Sequence, residues 1–198
     1  MESLLQVAVA VFTERGYDSA SMELLANRLG ITKSAIYHHV TSKEALLALA
    51  LERAHEGLFA VAEEARSLDA PAVARLKRLV HDSVTVLVRN LPYVTLLLRV
   101  RGNTEVERRA LERRRELDHL AAELVTEAIA DGDLRSDLDP AMVARLLFGL
   151  VNSLVEWYRP EPGDTGEPLA DAVITMAFDG LVVASPQPDA TCAPITPP

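Results

Sequence analysis

Residues 29–39, LGITKSAIYHH, carry an apolar Leu-Gly-Ile turn straight into Thr-Lys-Ser and then Ala-Ile-Tyr-His-His. Gly30 punctuates the chain and Thr32 is a natural N-cap, so a helix is predicted to start at Lys33. It is expected to run about eight residues, ~12 Å at 1.5 Å per residue. At 100° per residue Lys33, Ser34, Tyr37 and His38 fall on one arc of about 140°. Ile36 and Val40 fall on another, where they can pack against Leu25 and Leu29 of the preceding segment. The segment therefore has one apolar seam and one outward face of hydrogen-bonding groups.

Two helices joined by a short glycine turn form the helix-turn-helix pattern, whose second helix fits the major groove. The same pattern also describes an ordinary helical hairpin with a solvated polar face, and the residues alone leave both open.

Working outward, the pattern is helical throughout. Leu4, Leu5, Ala8, Val11 and Phe12 recur on one helical face, and Arg15-Gly16 ends that segment. Ser19 or Ser21 can cap a second helix over residues 22–29, with Met22, Leu25, Ala26 and Leu29 inward. Thr41-Ser42 caps a fourth helix over residues 43–66. Further helices are expected over 71–90, with Pro71 in the first turn, and over 92–101, 104–131, 139–158 and 167–184. The breaks fall at Asn90-Leu91-Pro92, Arg101-Gly102-Asn103, residues 131–140 and the Gly/Pro-rich stretch 159–168. No alternating strand pattern competes. The predicted class is all-α: an N-terminal three-helix helix-turn-helix domain (1–48) and a C-terminal helical bundle (49–184). These make about nine helices, followed by a Pro-rich tail (185–198).

With 198 residues, 49% hydrophobic and 25% charged, the chain can bury a sizeable core. No apolar run reaches the ~20 residues that span a bilayer. The N-terminal stretch lacks a basic region ahead of its apolar part, so it reads as an amphipathic helix and not a signal peptide. The single Cys192 permits no intrachain disulfide. A cytoplasmic protein without cofactor or metal is expected. The net charge of −9 is unfavourable for a nucleic-acid binder. Residues 1–50 are closer to neutral, with four basic side chains against five acidic ones, so DNA binding would rest on geometry and not on bulk charge.

The run from Phe12 to Leu47, FTERGYDSASMELLANRLGITKSAIYHHVTSKEALL, resembles the N-terminal domain of the TetR family of transcriptional regulators. The shared elements are Phe-x-x-x-Gly-Tyr at the end of helix one, the Ala-x-x-Leu-Gly-Ile turn, and Ile-Tyr-x-His-Val followed by Ser-Lys-Glu-Ala-Leu. The resemblance implies a ligand-responsive DNA-binding regulator, a repressor, that pairs on a near-palindromic site of double-stranded DNA. Lys33 and Ser34 would meet bases and phosphates at the start of the recognition helix. Tyr37 would donate its hydroxyl to a phosphate, and His38 would face the backbone. Thr32 and Ser21 would add phosphate contacts. Ala35 would touch a thymine methyl or pack, and His39 would act in packing and hinging. Lys43 would clamp a phosphate, helped by the free N–H groups of the fourth helix. Many relatives carry a basic leader before helix one. Here only Met1 and Glu2 precede Ser3: either the protein manages without a minor-groove arm, with few phosphate contacts expected, or its start is misassigned.

The segment MVARLLFGLVNSLVEWY, 142–158, is apolar nearly all round, as suits a helix covered by its own bundle and by a partner. Residues 169–184 add Leu169, Val173, Met176, Ala177, Gly180 and Leu181. The resemblance implies a homodimer formed by these two helices. Effector-contacting candidates are Val88, Tyr93, Leu96, Leu97, Val100, Leu120, Leu124, Phe148 and Trp157, many of which would also serve as plain core. Asn152, within an apolar run, either orients a ligand or satisfies a backbone group. Arg99 and Arg101 open a run of arginines reaching Arg115. The glutamates interleaved with it describe a salt-bridged helix face, whereas arginine forks would suit an anion.

Residues 132–160 are similar to TetR-family regulators of fatty-acid, steroid and phenylacetate degradation. That implies a small lipophilic effector, of which an acyl-CoA thioester is one form, and no membrane partner. Two other classes compete with this one. His38, His39, His55, His81 and His119 show no H-E-x-x-H or comparable spacing, and no phosphate loop or nucleophile elbow is present, so the chain is not expected to be an enzyme. A helical adaptor that binds only protein is the alternative.

Overall fold

A glycine turn and three side-chain caps set the N-terminal third of the chain. In the computed structural model, which describes residues 2–179, α1 (Glu2–Arg15) ends at Gly16, whose φ of +81° suits a residue without a side chain. Ser21 accepts the Leu24 N–H at 3.1 Å and opens α2 (Met22–Leu29), which Gly30 closes at φ +67°. Thr32 accepts the Ala35 N–H at 3.1 Å and opens α3 (Lys33–Tyr37). Ser42 accepts the Ala45 N–H at 3.0 Å and opens α4 (Lys43–Ser67).

α3 is shorter than the eight residues predicted for it. The α-helix holds five, because the N–H groups of both His39 and Val40 turn back onto the Ile36 carbonyl, at 2.9 and 3.1 Å, and close the segment.

The rest is a helical bundle: α5 (Ala72–Arg89), α6 (Leu91–Arg99), α7 (Glu105–Ala130), α8 (Pro140–Trp157) and α9 (Glu167–Ile174). Pro71 stands at the N-cap of α5 and not inside its first turn. Thr104 and Glu107 form a reciprocal capping box at the start of α7. The last predicted helix is interrupted, since a π-helical turn (Thr175–Asp179) follows α9 directly. Gly180, Leu181, Cys192 and the Pro-rich tail lie outside the described residues.

α1 packs on α2, α4 and α6; α4 packs on α5, α6 and α7; α8 lies on α7, and α9 on α5. One continuous apolar core results, including Phe12, Leu25, Ile36, Leu47, Leu97 and Leu124. Residue 48, the predicted domain boundary, falls inside α4, so one rigid helix serves both parts. Among the described residues no strand forms, and no helix is long and apolar enough to cross a membrane.

One core residue is anomalous. His55 on α4 is 1% exposed, its Nε2 has no hydrogen-bond partner, and its ring meets Phe59 edge-on at 6.0 Å. Burial, with the Arg113 charge acting in the same direction, pushes its pKa from 6.5 down to about 4. The unfolded chain therefore takes up this proton first as pH falls. Stability is intact above pH 6.5 and is lost on the way to pH 4, by on the order of 3 kcal/mol. Thermal unfolding across that window should show the loss, and His55→Leu should reduce it. An equally steep fall in the variant would contradict this reading.

Candidate nucleic-acid interface and effector region

The outward face of α3 is built as a platform. Ile36 is fully buried and Val40 nearly so, which fixes the helix against α2 and leaves Lys33, Ser34, Tyr37 and His38 exposed on the other side. Tyr37 is 47% exposed, large for an aromatic ring on a well-packed head. Ala35 is half-buried, between surface and packing. His39 is exposed, which corrects its expected packing role: it lies in the closing turn, beyond the buried seam. Ser21 and Thr32 accept backbone N–H groups as caps, so each hydroxyl keeps its own proton for a further acceptor.

Lys43 is the main correction. Its Nζ donates to the carbonyls of Tyr17 and Ala20, each at 2.8 Å, and of Asp18 at 3.4 Å, and it lies 4.2 Å from the Tyr17 ring centre. An ammonium has three protons, and three carbonyls take them. Lys43 therefore pins the α1–α2 turn to the start of α4 instead of waiting for a phosphate. Burial raises the pKa of Tyr17, which stacks edge-on to Phe12 at 5.4 Å. Of the head's other cations, Arg28 pairs with Glu14 at 2.9 Å. Among the described residues Arg15 and Lys33 form no ion pair.

The predicted effector residues divide into four groups. Val88, Tyr93, Leu97, Leu120 and Leu124 are buried in the common core. Leu96, Arg99, Val100 and Arg101 come together on one wall of a cleft of about 640 Å³ between the head and the end of α6. Phe148 and Asn152 are half-buried on α8. Trp157, expected to contact an effector, is instead 60% exposed at the outer end of α8. The cause is helical phase: Trp157 shares an outward stripe with Met142 (54% exposed) and Leu146 (65%), with Gly149 and Ser153 between them.

The arginine run is also divided. Arg108 and Arg109 both pair with Glu105, at 2.8 and 3.3 Å, and Arg113 pairs with Glu52. Those three form the solvated, salt-bridged face. Arg99 instead donates to the Thr13 carbonyl at 3.2 Å, reaching from α6 to α1. Sequence reasoning missed the opposite wall of the cleft: Thr13, Gly16, Asp18 and Ser19. No local signal could have found them, because the contact joins positions 86 residues apart.

Residues 4–50 match the family model described as bacterial regulatory proteins, tetR family, and residues 69–181 match the tetracyclin repressor-like C-terminal domain. The chain belongs to the TetR family of transcriptional regulators. This TetR-family chain is 30% identical to the HTH-type transcriptional repressor KstR2 of Rhodococcus jostii, covering 92% of this chain and 90% of that one. A TetR-family member from Streptomyces coelicolor A3 superposes with a TM-score of 0.85 at 53% identity, covering 91% of both chains. AibR, solved in complex with isovaleryl coenzyme A and operator DNA, superposes with a TM-score of 0.74 at 25% identity, over 89% of this chain and 97% of that one. The protein is thus a ligand-responsive DNA-binding regulator and not an enzyme.

Within this TetR-family head, replacing Lys43 should act on stability. Lys43→Met removes the shared donor of three carbonyls, and a loss of about 1–3 kcal/mol is expected in denaturant unfolding. Unchanged stability with weakened DNA binding would restore the phosphate-clamp role.

Proposed function

We propose that two copies of this chain bind a near-palindromic operator, occupy a promoter and repress it, and are released by a small lipophilic effector. Residues 1–48 serve as the reading head and 49–184 as the effector and pairing part. The exposed face of α3 carries this reading: a five-residue helix clamped by Ile36 and presenting Lys33, Ser34, Tyr37 and His38. Lys33 suits guanine O6/N7 or a phosphate, and Tyr37, Ser21 and Thr32 suit phosphate oxygens.

One helix this short reads only a few base pairs. Pairing supplies a second, with half-sites about 34 Å apart. The stripe of Met142, Leu146 and Trp157 supports pairing through α8, since three large apolar side chains on one helical face call for cover. Met176, 38% exposed beyond α9, extends the apolar surface.

For the effector, AibR was solved with isovaleryl coenzyme A and operator DNA together, which supports an acyl-CoA thioester as one candidate here. Release follows from a population shift. An effector that prefers the DNA-incompetent arrangement by ~2.7 kcal/mol lowers operator affinity 100-fold. α4 is the natural lever, because its N-terminus holds the head and its body lies among the effector helices. The protein would act in the cytoplasm, where operator DNA lies.

A gel-shift with the protein's own upstream intergenic DNA at low salt, where phosphate contacts are strongest, should show a retarded band. No retardation would favour the protein-only adaptor. Tyr37→Phe should weaken binding to all sequences alike. Lys33→Ala should shift base preference at one operator position by about 1–3 kcal/mol; unchanged affinity and preference would remove α3 from the reading role. Leu146→Glu should yield monomers in sedimentation and abolish retardation. A dimer that persists in this variant would contradict pairing through α8.

A further inference from the structure

The histidines of this chain stand in different surroundings. His55 is buried in the core. His81 sits between two carboxylates, its Nδ1 2.9 Å from Asp82 and its Nε2 3.5 Å from Asp171. His119 lines a groove between α7 and α8 together with Glu123, Glu127 and Asp139. His38 and His39 are both exposed at the end of α3. They line a groove with Tyr37, Thr41, Ala45 and Leu49, and no carboxylate takes part in that lining. Among the described residues neither imidazole forms an ion pair.

The charged groups of the neighbouring elements are engaged or lie outside this groove. Arg28 on α2 pairs with Glu14, and Lys43 on α4 is held by carbonyls. Glu44 acts on Tyr17 at the α1–α2 turn. Glu23, in the first turn of α2, and Lys33, which opens α3, do not line the groove.

Histidine is the side chain that ordinarily gains its charge between roughly pH 8 and 5. The head is short of cations, so two such charges count. Residues 1–50 hold four Lys/Arg against five acids, and protonating His38 and His39 turns that balance from one net negative charge to one net positive. Duplex DNA is a dense array of phosphates and favours the charged imidazole over the neutral one; by linkage, the proton then favours the DNA-bound state.

We propose that protons are a second input to this regulator: DNA binding takes up protons at His38 and His39, so operator affinity rises with acidity. A neutral imidazole offers a phosphate one ordinary hydrogen bond, whereas the cation offers a charge-assisted one. The proposal rests on α3 being the reading helix, and its test separates the two claims.

That test is fluorescence anisotropy of the full chain on its own upstream duplex, at about pH 8 and about pH 6 and over a range of salt concentrations. Binding should be tighter at the lower pH by about tenfold or more. The slope of log affinity on log salt should steepen by about 0.9 for each imidazolium that meets a phosphate. His38→Gln with His39→Gln should bring the two affinities to within about threefold of each other. His38→Lys with His39→Lys should also level them, by keeping the tighter binding at both pH values. His119→Gln should keep the wild-type ratio. Stability lost through His55 lowers the folded fraction as pH falls, so it opposes the expected gain and does not imitate it. Equal wild-type affinity at both pH values, or the wild-type ratio in either double variant, overturns this proposal alone. No binding at either pH overturns the reading role of α3 and this proposal with it.

Discussion

The Lys43 ammonium holds three main-chain carbonyls of the α1–α2 turn, and the reading head depends on that junction. A head of some 48 residues buries too little surface to be robust alone. It shares α4 with the rest of the chain instead. Leu46, Leu47, Ala50, Leu51 and Ala54 are all essentially buried along that helix. The start of α4 is capped by Ser42, tied to the turn by Lys43 and continuous with the helix that α5, α6 and α7 pack against. α4 thus runs from the head into the bundle with no loop between the two.

The outward face of α3 is small and is held from behind. Thr32 satisfies one orphan N–H, Ile36 and Val40 bury the seam, and the chain turns back at His39. Charge contributes little: Arg28 is paired and Lys43 engaged, and among the described residues Arg15 and Lys33 are the head's Lys/Arg side chains that form no ion pair. A single head of this kind would bind DNA weakly, which is why the proposed function rests on two copies. The stripe on α8 lies far along the chain from α3, so the residues that would space two heads are separate from those that would read.

Much of this was legible in the sequence because it is local. Caps at Ser21, Thr32 and Ser42, the stop at Gly30 and the seam of Ile36 and Val40 all follow from short-range rules. What was not legible is non-local. A lysine at a helix start reads as a phosphate clamp until three carbonyls are seen to converge on it. Trp157 could not be oriented, because a helix apolar on every face carries no phase that separates core from partner. Arg99 could be called a cation on a rim, but not the bridge to Thr13. His39 looked like packing because it sits next to a buried seam, and the early end of α3 turns it outward.

The account stands on two copies of α3 entering successive turns of one duplex. Hydroxyl-radical footprinting of the full chain on its own upstream DNA tests this directly. Two protected patches on one face of the helix, centred about one turn or ~10 base pairs apart, are predicted. A single short patch, or protection without any two-fold relation, would contradict it.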